Sequence, residues 1–299
     1  MNSATTLPAT DAGAQQRAIP TAEIGAASPS RLRRVFGSSS FVVGALIVLF
    51  WIGCAIFGAD VVPINPYKDD LLNALAAPSA VHWFGTDQIG RDIFSRIVIG
   101  ARPILSVAPL ATLLATIAGT TIGLLTGYVG GLIDALLGRV IEVLQALPLI
   151  VVALLVLVAL GPSSGTVIAV IGIIFTPLIA RTVRAAVLAE RSLDYVDAAE
   201  LRGEGALHIM FVEILPNVLP PILVETTVRL GYAIFTVASL SFLGFGIQPP
   251  SADWGLAISE NYGMIAGGYW WTVAFAAGAT ASLVVGVNLV ADGIQSALE

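Results

Sequence analysis

Four stretches of the 299-residue chain hold side chains whose types and spacing could do chemistry. "GPSSG" (161–165) fits the G-x-S-x-G pattern with Ser163 as nucleophile. That pattern needs a strand before it and a placed histidine, whereas here it joins two apolar runs, so a turn is expected. "YVDAAELRGEGALHIMFVEILPNVLPP" (195–221) gathers Asp197, Glu200, Glu204, His208 and Glu213, enough for proton transfer on paper. Carboxylates on a polar helix are far more often a solvated face. "GTDQIGRD" (85–92) mixes turn glycines with Asp87, Arg91 and Asp92. Glu225 and Arg229 stand at i, i+4, the acid N-terminal to the base, which is the better pairing direction. A metal centre is not expected: the lone cysteine is Cys54, and the two histidines, His82 and His208, are far apart. Phosphate chemistry is not expected either. A P-loop needs a lysine reaching the β- and γ-phosphates, and the single lysine, Lys68, follows "PINPY" with no glycine loop.

The elements that must carry these groups are set by composition. The chain is 57% hydrophobic and 11% charged, against roughly a quarter charged for a soluble domain. Its apolar residues come in long uncharged blocks, which read as membrane helices and not as barrel strands of about 10 alternating residues. The fold class is an all-α integral membrane protein. With about 20 apolar residues per crossing, six spans are expected at about 41–61, 103–128, 138–160, 165–187, 218–246 and 270–291. Residues 1–38 are rich in Ala, Thr, Ser, Pro and Gln and end near "RLRR" (31–34). They cannot bury enough apolar surface to order themselves and read as a flexible cytoplasmic tail.

Orientation follows the basic residues on short loops. Arg17, Arg31, Arg33, Arg34, Arg139, Arg181, Arg184, Arg191 and Arg202 fall on one side if the N-terminus is inside. Lys68, Arg91, Arg96 and Arg102 fall on the other, all in the long first loop, so N-in and C-in is favoured. In the second span Gly119, Gly123, Gly127 and Gly131 recur every four residues and share one face, where another helix can approach closely. Gly85, Asp87, Arg91, Asp92 and Arg96 form a salt-bridged outer corner, or contact an external binding partner or the mouth of a translocation path. The following "IFSRIVIGAR" reads as an amphipathic interfacial helix whose Arg96 and Arg102 reach headgroups. Glu225 and Arg229 fall inside the fifth span. Ionisable groups there face a bundle interior or an aqueous path, so they line a path, form a structural pair, or mark a wrongly drawn span.

The 195–221 stretch has the chemistry of a handle. Ala198, Ala199 and Gly203 place small side chains together, with Leu201, Leu207, Ile209 and Phe211 as apolar knobs. Gly203 and Gly205 permit a sharp turn between two short helices, and Pro216 and Pro220 break the chain before the fifth span. The product is a ridge suited to a partner's cleft.

"DAAELRG…ILPN" resembles the "EAA" loop of ABC importer permeases, with Asp197 where Glu is usual and Ala198, Ala199, Gly203, Leu215, Pro216 and Asn217 matching. "HWFGTDQIGRDIFSRIVIGAR" (82–102), "GYVGGLIDALLGRVIEVLQALP" (127–148), "SLSFLGFGIQPPSADWG" (239–255) and "NLVADGIQSAL" (288–298) resemble the C-type, second transmembrane subunit of dipeptide, oligopeptide and nickel importers. The resemblance runs from about residue 35 to the end. Glu204-Gly205, Glu213 and Gln295 depart from it. It implies a type I permease fold, with 39–102 as first helix, extracytoplasmic loop and interfacial helix, and 103–299 as core domain with its coupling loop at about 189–217. It also implies a multi-pass protein of the bacterial inner membrane, in contact with lipid and with no nucleic-acid partner. Expected partners are a homologous second permease, two cytoplasmic ATPases that bind the ATP and Mg, and an extracytoplasmic binding protein. The cargo implied is a di- or oligopeptide, with a nickel complex or an opine as alternatives. A secondary carrier would need ion-coupling carboxylates and usually an internal repeat, and neither is seen beyond Glu225. A membrane-embedded hydrolase would rest on Ser163 alone.

Overall fold

The computed structural model describes residues 38–298; the expected tail falls almost wholly outside them. Among the described residues the chain is helical. The helices are α1 (Ser39–Val61), α2 (Ile93–Tyr128), α3 (Gly131–Ala146), α4 (Leu149–Leu160), α5 (Ser164–Arg191), α6 (Asp194–Leu201), α7 (Ala206–His208), α8 (Leu215–Phe242), α9 (Trp254–Asn261) and α10 (Trp271–Leu298). A π-helical segment, Ile209–Ile214, joins α7 to α8. Five helices among these residues are long and apolar enough to cross a membrane, or six if the bent pair α3–α4 is one span.

The structure departs from four of the sequence expectations. No separate interfacial helix precedes the second span: α2 runs unbroken for 36 residues through Pro103 and Pro109, roughly 54 Å at 1.5 Å per residue. Inside a bundle, neighbouring helices and hydroxyls can satisfy the groups that proline frees, and Ser106 Oγ donates to the Pro103 carbonyl. The third span is not straight, because α3 and α4 meet at 91°. Pro148 has no N–H to continue the ladder and holds Leu147 extended (φ −91°, ψ 138°). At the fifth span the prolines break nothing. Pro216 sits in the first turn of α8 and Pro220 and Pro221 lie within it, while the Asn217 amide donates to the Glu213 carbonyl. Finally, Gly131 is not part of the glycine face; it opens α3 at φ +59°, and a Cβ built on it would meet no other helix within 4 Å.

The other three glycines set the centre of the bundle. A Cβ added to Gly119, Gly123 or Gly127 would lie 2.8, 2.6 or 2.8 Å from the Cβ of Ile179, Val183 or Val187 on α5. Those three α5 side chains are fully buried. Helices in lipid gain no hydrophobic drive from meeting each other, so close van der Waals packing of this kind is what holds α2 to α5. On the far side α1 crosses α10 where Gly44 meets Gly286, and Trp51 Nε1 donates to Ser282 Oγ at 2.9 Å. Ser163 does what a turn residue would: its Oγ caps α5, accepting from the Thr166 N–H at 3.1 Å.

Candidate functional site: a docking ridge, an outer corner and a charged pair

The ridge begins where α5 ends. Helix α6 buries Val196 and Ala199 against the bundle and turns Asp197, Ala198, Glu200 and Leu201 outward. It closes at Gly203, whose φ is +79°. The Gly203 N–H donates to the Glu200 carbonyl and the Glu204 N–H to the Ala199 carbonyl, at 2.9 and 3.2 Å, which is a Schellman closure with glycine in the left-handed position. Beyond the turn, Leu207 and Phe211 project outward, while Ile209 is 1% exposed. The structure thus brings together Asp197, Ala198, Gly203 and the knobs Leu201, Leu207 and Phe211. Ala199 and Ile209, expected on the contact face, are turned into the bundle. Leu215, Pro216 and Asn217 begin α8 at the foot of the ridge.

Polar ties hold the ridge to the helix ends. Tyr128 Oη donates to Glu200 Oε1 at 3.0 Å, and the Arg191 guanidinium lies 5.6 Å from the Tyr128 ring centre. Tyr195 Oη donates to Glu190 Oε2 at 2.8 Å; burial and that bond raise its phenol above the ordinary value. Beneath the ridge, Arg184 holds Asp134 with two bonds of 2.6 and 2.7 Å. Arg202 reaches Glu204 Oε1 at 2.7 Å and Glu213 Oε1 at 3.3 Å.

The outer corner lies at the opposite end of α2. Asp87 Oδ1 accepts the N–H groups of Ile89 and Arg91, and its Oδ2 takes Arg91 Nε at 2.6 Å. Arg91 continues to Glu260 Oε2 at 2.5 Å. Asp92 caps α2 through the Ser95 N–H and hydroxyl and faces His82 Nδ1 at 2.9 Å. Gly85 supplies a left-handed turn at φ +77°. Arg96 does not reach headgroups. It is 3% exposed and donates to the Pro66 and Ser251 carbonyls at 3.2 and 3.1 Å, because α2 extends inward instead of lying flat. Arg102 is exposed, as expected. Glu260 and Ser251 were missed, and no local signal marks them, since they sit 169 and 155 residues from Arg91 and Arg96; Asp253 was missed as well.

Asp253 caps α9 through the Leu256 N–H at 2.9 Å, while its Oδ2 is buried without a partner. Burial pushes its carboxyl up to about 6 from 3.8. The folded state therefore binds the proton more tightly than the unfolded chain. The contribution is most favourable below about pH 4 and is lost as pH rises through about 6, a change on the order of 3 kcal/mol. Asp253→Asn keeps the capping oxygen and removes the charge. Its thermal midpoint should exceed wild type at pH 7.5, and the gap should close by pH 4. A gap that stays constant across that range would refute the assignment.

Glu225 and Arg229 do pair, with Nε 2.6 Å from Oε1, and the guanidinium lies 5.4 Å from the Tyr232 ring centre. Their side chains are 15% and 21% exposed, and Tyr232 is exposed beside them. Next to Glu225, Thr226 and Thr116 of α2 stand hydroxyl to hydroxyl at 3.1 Å. The pair sits on a face of α8 that the chain leaves partly open.

Residues 119–299 match the family described as binding-protein-dependent transport system inner membrane component. The chain is 38% identical over 258 residues to a dipeptide transport system permease protein of Alkalihalophilus pseudofirmus, covering 86% of this chain and 84% of that protein. It is 35% identical over 263 residues to a probable D,D-dipeptide transport system permease protein of Escherichia coli, covering 88% of each. A di/tripeptide transport system permease protein of Pseudomonas aeruginosa is 34% identical over 292 residues, covering 94% of this chain and 95% of that protein.

Proposed function

The chain belongs to the family of binding-protein-dependent transport system inner membrane components, and from that premise we propose that it is the permease subunit of an ATP-driven peptide importer, gripped by its ATPases at the 195–217 ridge. The observation that carries this reading is the ridge itself. Leu201 is 90% exposed and Leu207 68% on a segment fixed by a Schellman turn and by Tyr128. Large apolar side chains held outward, on a segment interspersed with charged residues, suit a cleft in another protein. Closure of the ATPases would move the ridge, and the ridge would move α5 and α8, with which it is continuous.

Di- or oligopeptides are the cargo we favour, because the relatives are named as dipeptide and di/tripeptide permeases. A second, homologous permease would cover the open face of α8, placing Glu225 and Arg229 along the path. An extracytoplasmic binding protein would deliver cargo at the end where the Asp87–Arg91–Glu260 corner lies. The corner is a rigid platform for that contact.

The energy must come from other subunits. The purified chain is expected to hydrolyse no ATP, and to gain transport only when reconstituted with its ATPase subunits. The decisive measurement is phosphate release from the chain freed of every co-purified ATPase. Turnover above background there would overturn the assignment.

A further inference from the structure

His208 lies far from the other histidine, His82, in the chain. The fold supplies His208 with different neighbours. An oxygen each from Glu204 and Glu213 and a ring nitrogen of His208 lie within 4.8 Å of one another. A turn and a backbone period bring them together. Glu204 stands in the turn just before α7, four residues ahead of His208, whereas His208 and Glu213 are five apart across the π-helical segment Ile209–Ile214. The wider i→i+5 register stacks residues at that second spacing, where an α-helix would swing Glu213 away.

The distances suit a metal ion. His208 Nε2 stands 3.4 Å from Glu204 Oε2, the separation of two ligands in a tetrahedral shell with bonds of about 2.0–2.1 Å. Glu204 Oε2 is sealed from solvent and accepts no hydrogen bond. Its sister oxygen and Glu213 Oε1 share Arg202, so a cation already stands at the rim of the cluster.

We propose that Glu204, His208 and Glu213 bind a divalent transition-metal ion of the zinc type, with water completing the shell. One imidazole and two carboxylates suit a borderline ion. Magnesium prefers a near-octahedral oxygen shell that keeps several waters, so it competes poorly. A bound ion displaces Arg202 and ties the residue after the Gly203 turn to the foot of α8, which stiffens the ridge. The site stands whether or not the ridge docks an ATPase.

The test is zinc titration of the full-length chain in detergent, affinity tag removed, against a chromophoric chelator with magnesium in excess. One zinc per chain is expected. His208→Ala and Glu213→Gln should each weaken binding by at least about tenfold, the scale seen even for groups outside a metal's own ligands. Arg202→Gln removes the competing cation but no ligand, so it should bind zinc several-fold more tightly than wild type. That variant decides the matter if a ligand variant does not fold. Absent zinc binding, equal affinity in wild type and ligand variants, or an Arg202→Gln chain that binds no better, each overturns the proposal.

Discussion

Replacing Gly203 by arginine should leave the chain in the membrane and strip the ATPase subunits from it. Gly203 sits at φ +79° with no atom of the chain within 4 Å of a Cβ built there, so nothing within this chain blocks a side chain. Two costs remain. A non-glycine residue held in the left-handed region costs of order 1–3 kcal/mol, and it opens the turn that aims Leu201 and Leu207. The arginine also projects from an exposed position into whatever cleft receives the ridge. Since every 1.4 kcal/mol is tenfold in affinity, co-purification of the ATPases with tagged permease should fall about tenfold or more, and uptake with it. Gly203→Asn separates the two costs, because asparagine tolerates the left-handed region and is short; it should retain most of both activities. Gly205→Ala is the control: at φ −72° it should be silent. Full ATPase recovery and uptake with Gly203→Arg would show that the ridge is not the docking site.

Glu225→Ala should abolish most substrate-stimulated transport, by about tenfold or more, while assembly and basal ATPase activity stay near wild type. Truncating one partner leaves Arg229 without its ion pair on a face of α8 that the chain leaves partly open. If the pair lines the path, removing Arg229 as well restores the scaffold but not the path, and Glu225→Ala/Arg229→Ala should remain defective in uptake. Recovery in the double variant would assign the pair to the scaffold. A single alanine with normal transport and normal membrane abundance would exclude both roles.

The sequence by itself determined the class, the approximate number of spans and the family, because these rest on local properties. An uncharged run of about 20 residues can satisfy its backbone only as a helix in lipid, whatever surrounds it. Glycines four apart share a helix face by geometry alone, and three of the four expected on α2 do meet α5. The turn at Gly203 was legible for the same reason: a glycine after a short polar helix is the residue that can adopt φ > 0.

What only the tertiary structure decided are relations between distant residues and between registers. Arg96 looked like a headgroup anchor from its neighbours, but α2 continues inward and places it beside Pro66 and Ser251, 30 and 155 residues away. Ala199 and Ile209 fit a contact face by type, and packing against the bundle turned them inside. Glu204 and His208 are four apart, but Glu213 follows His208 by five, a spacing that an α-helix would not align; the π register brings it to them. Proline gave the reverse lesson. Pro148 produced a 91° bend, whereas Pro103, Pro109, Pro220 and Pro221 left their helices intact. The residue removes one hydrogen bond in every case. Whether the helix breaks there depends on the groups packed around it, which a one-dimensional pattern does not contain.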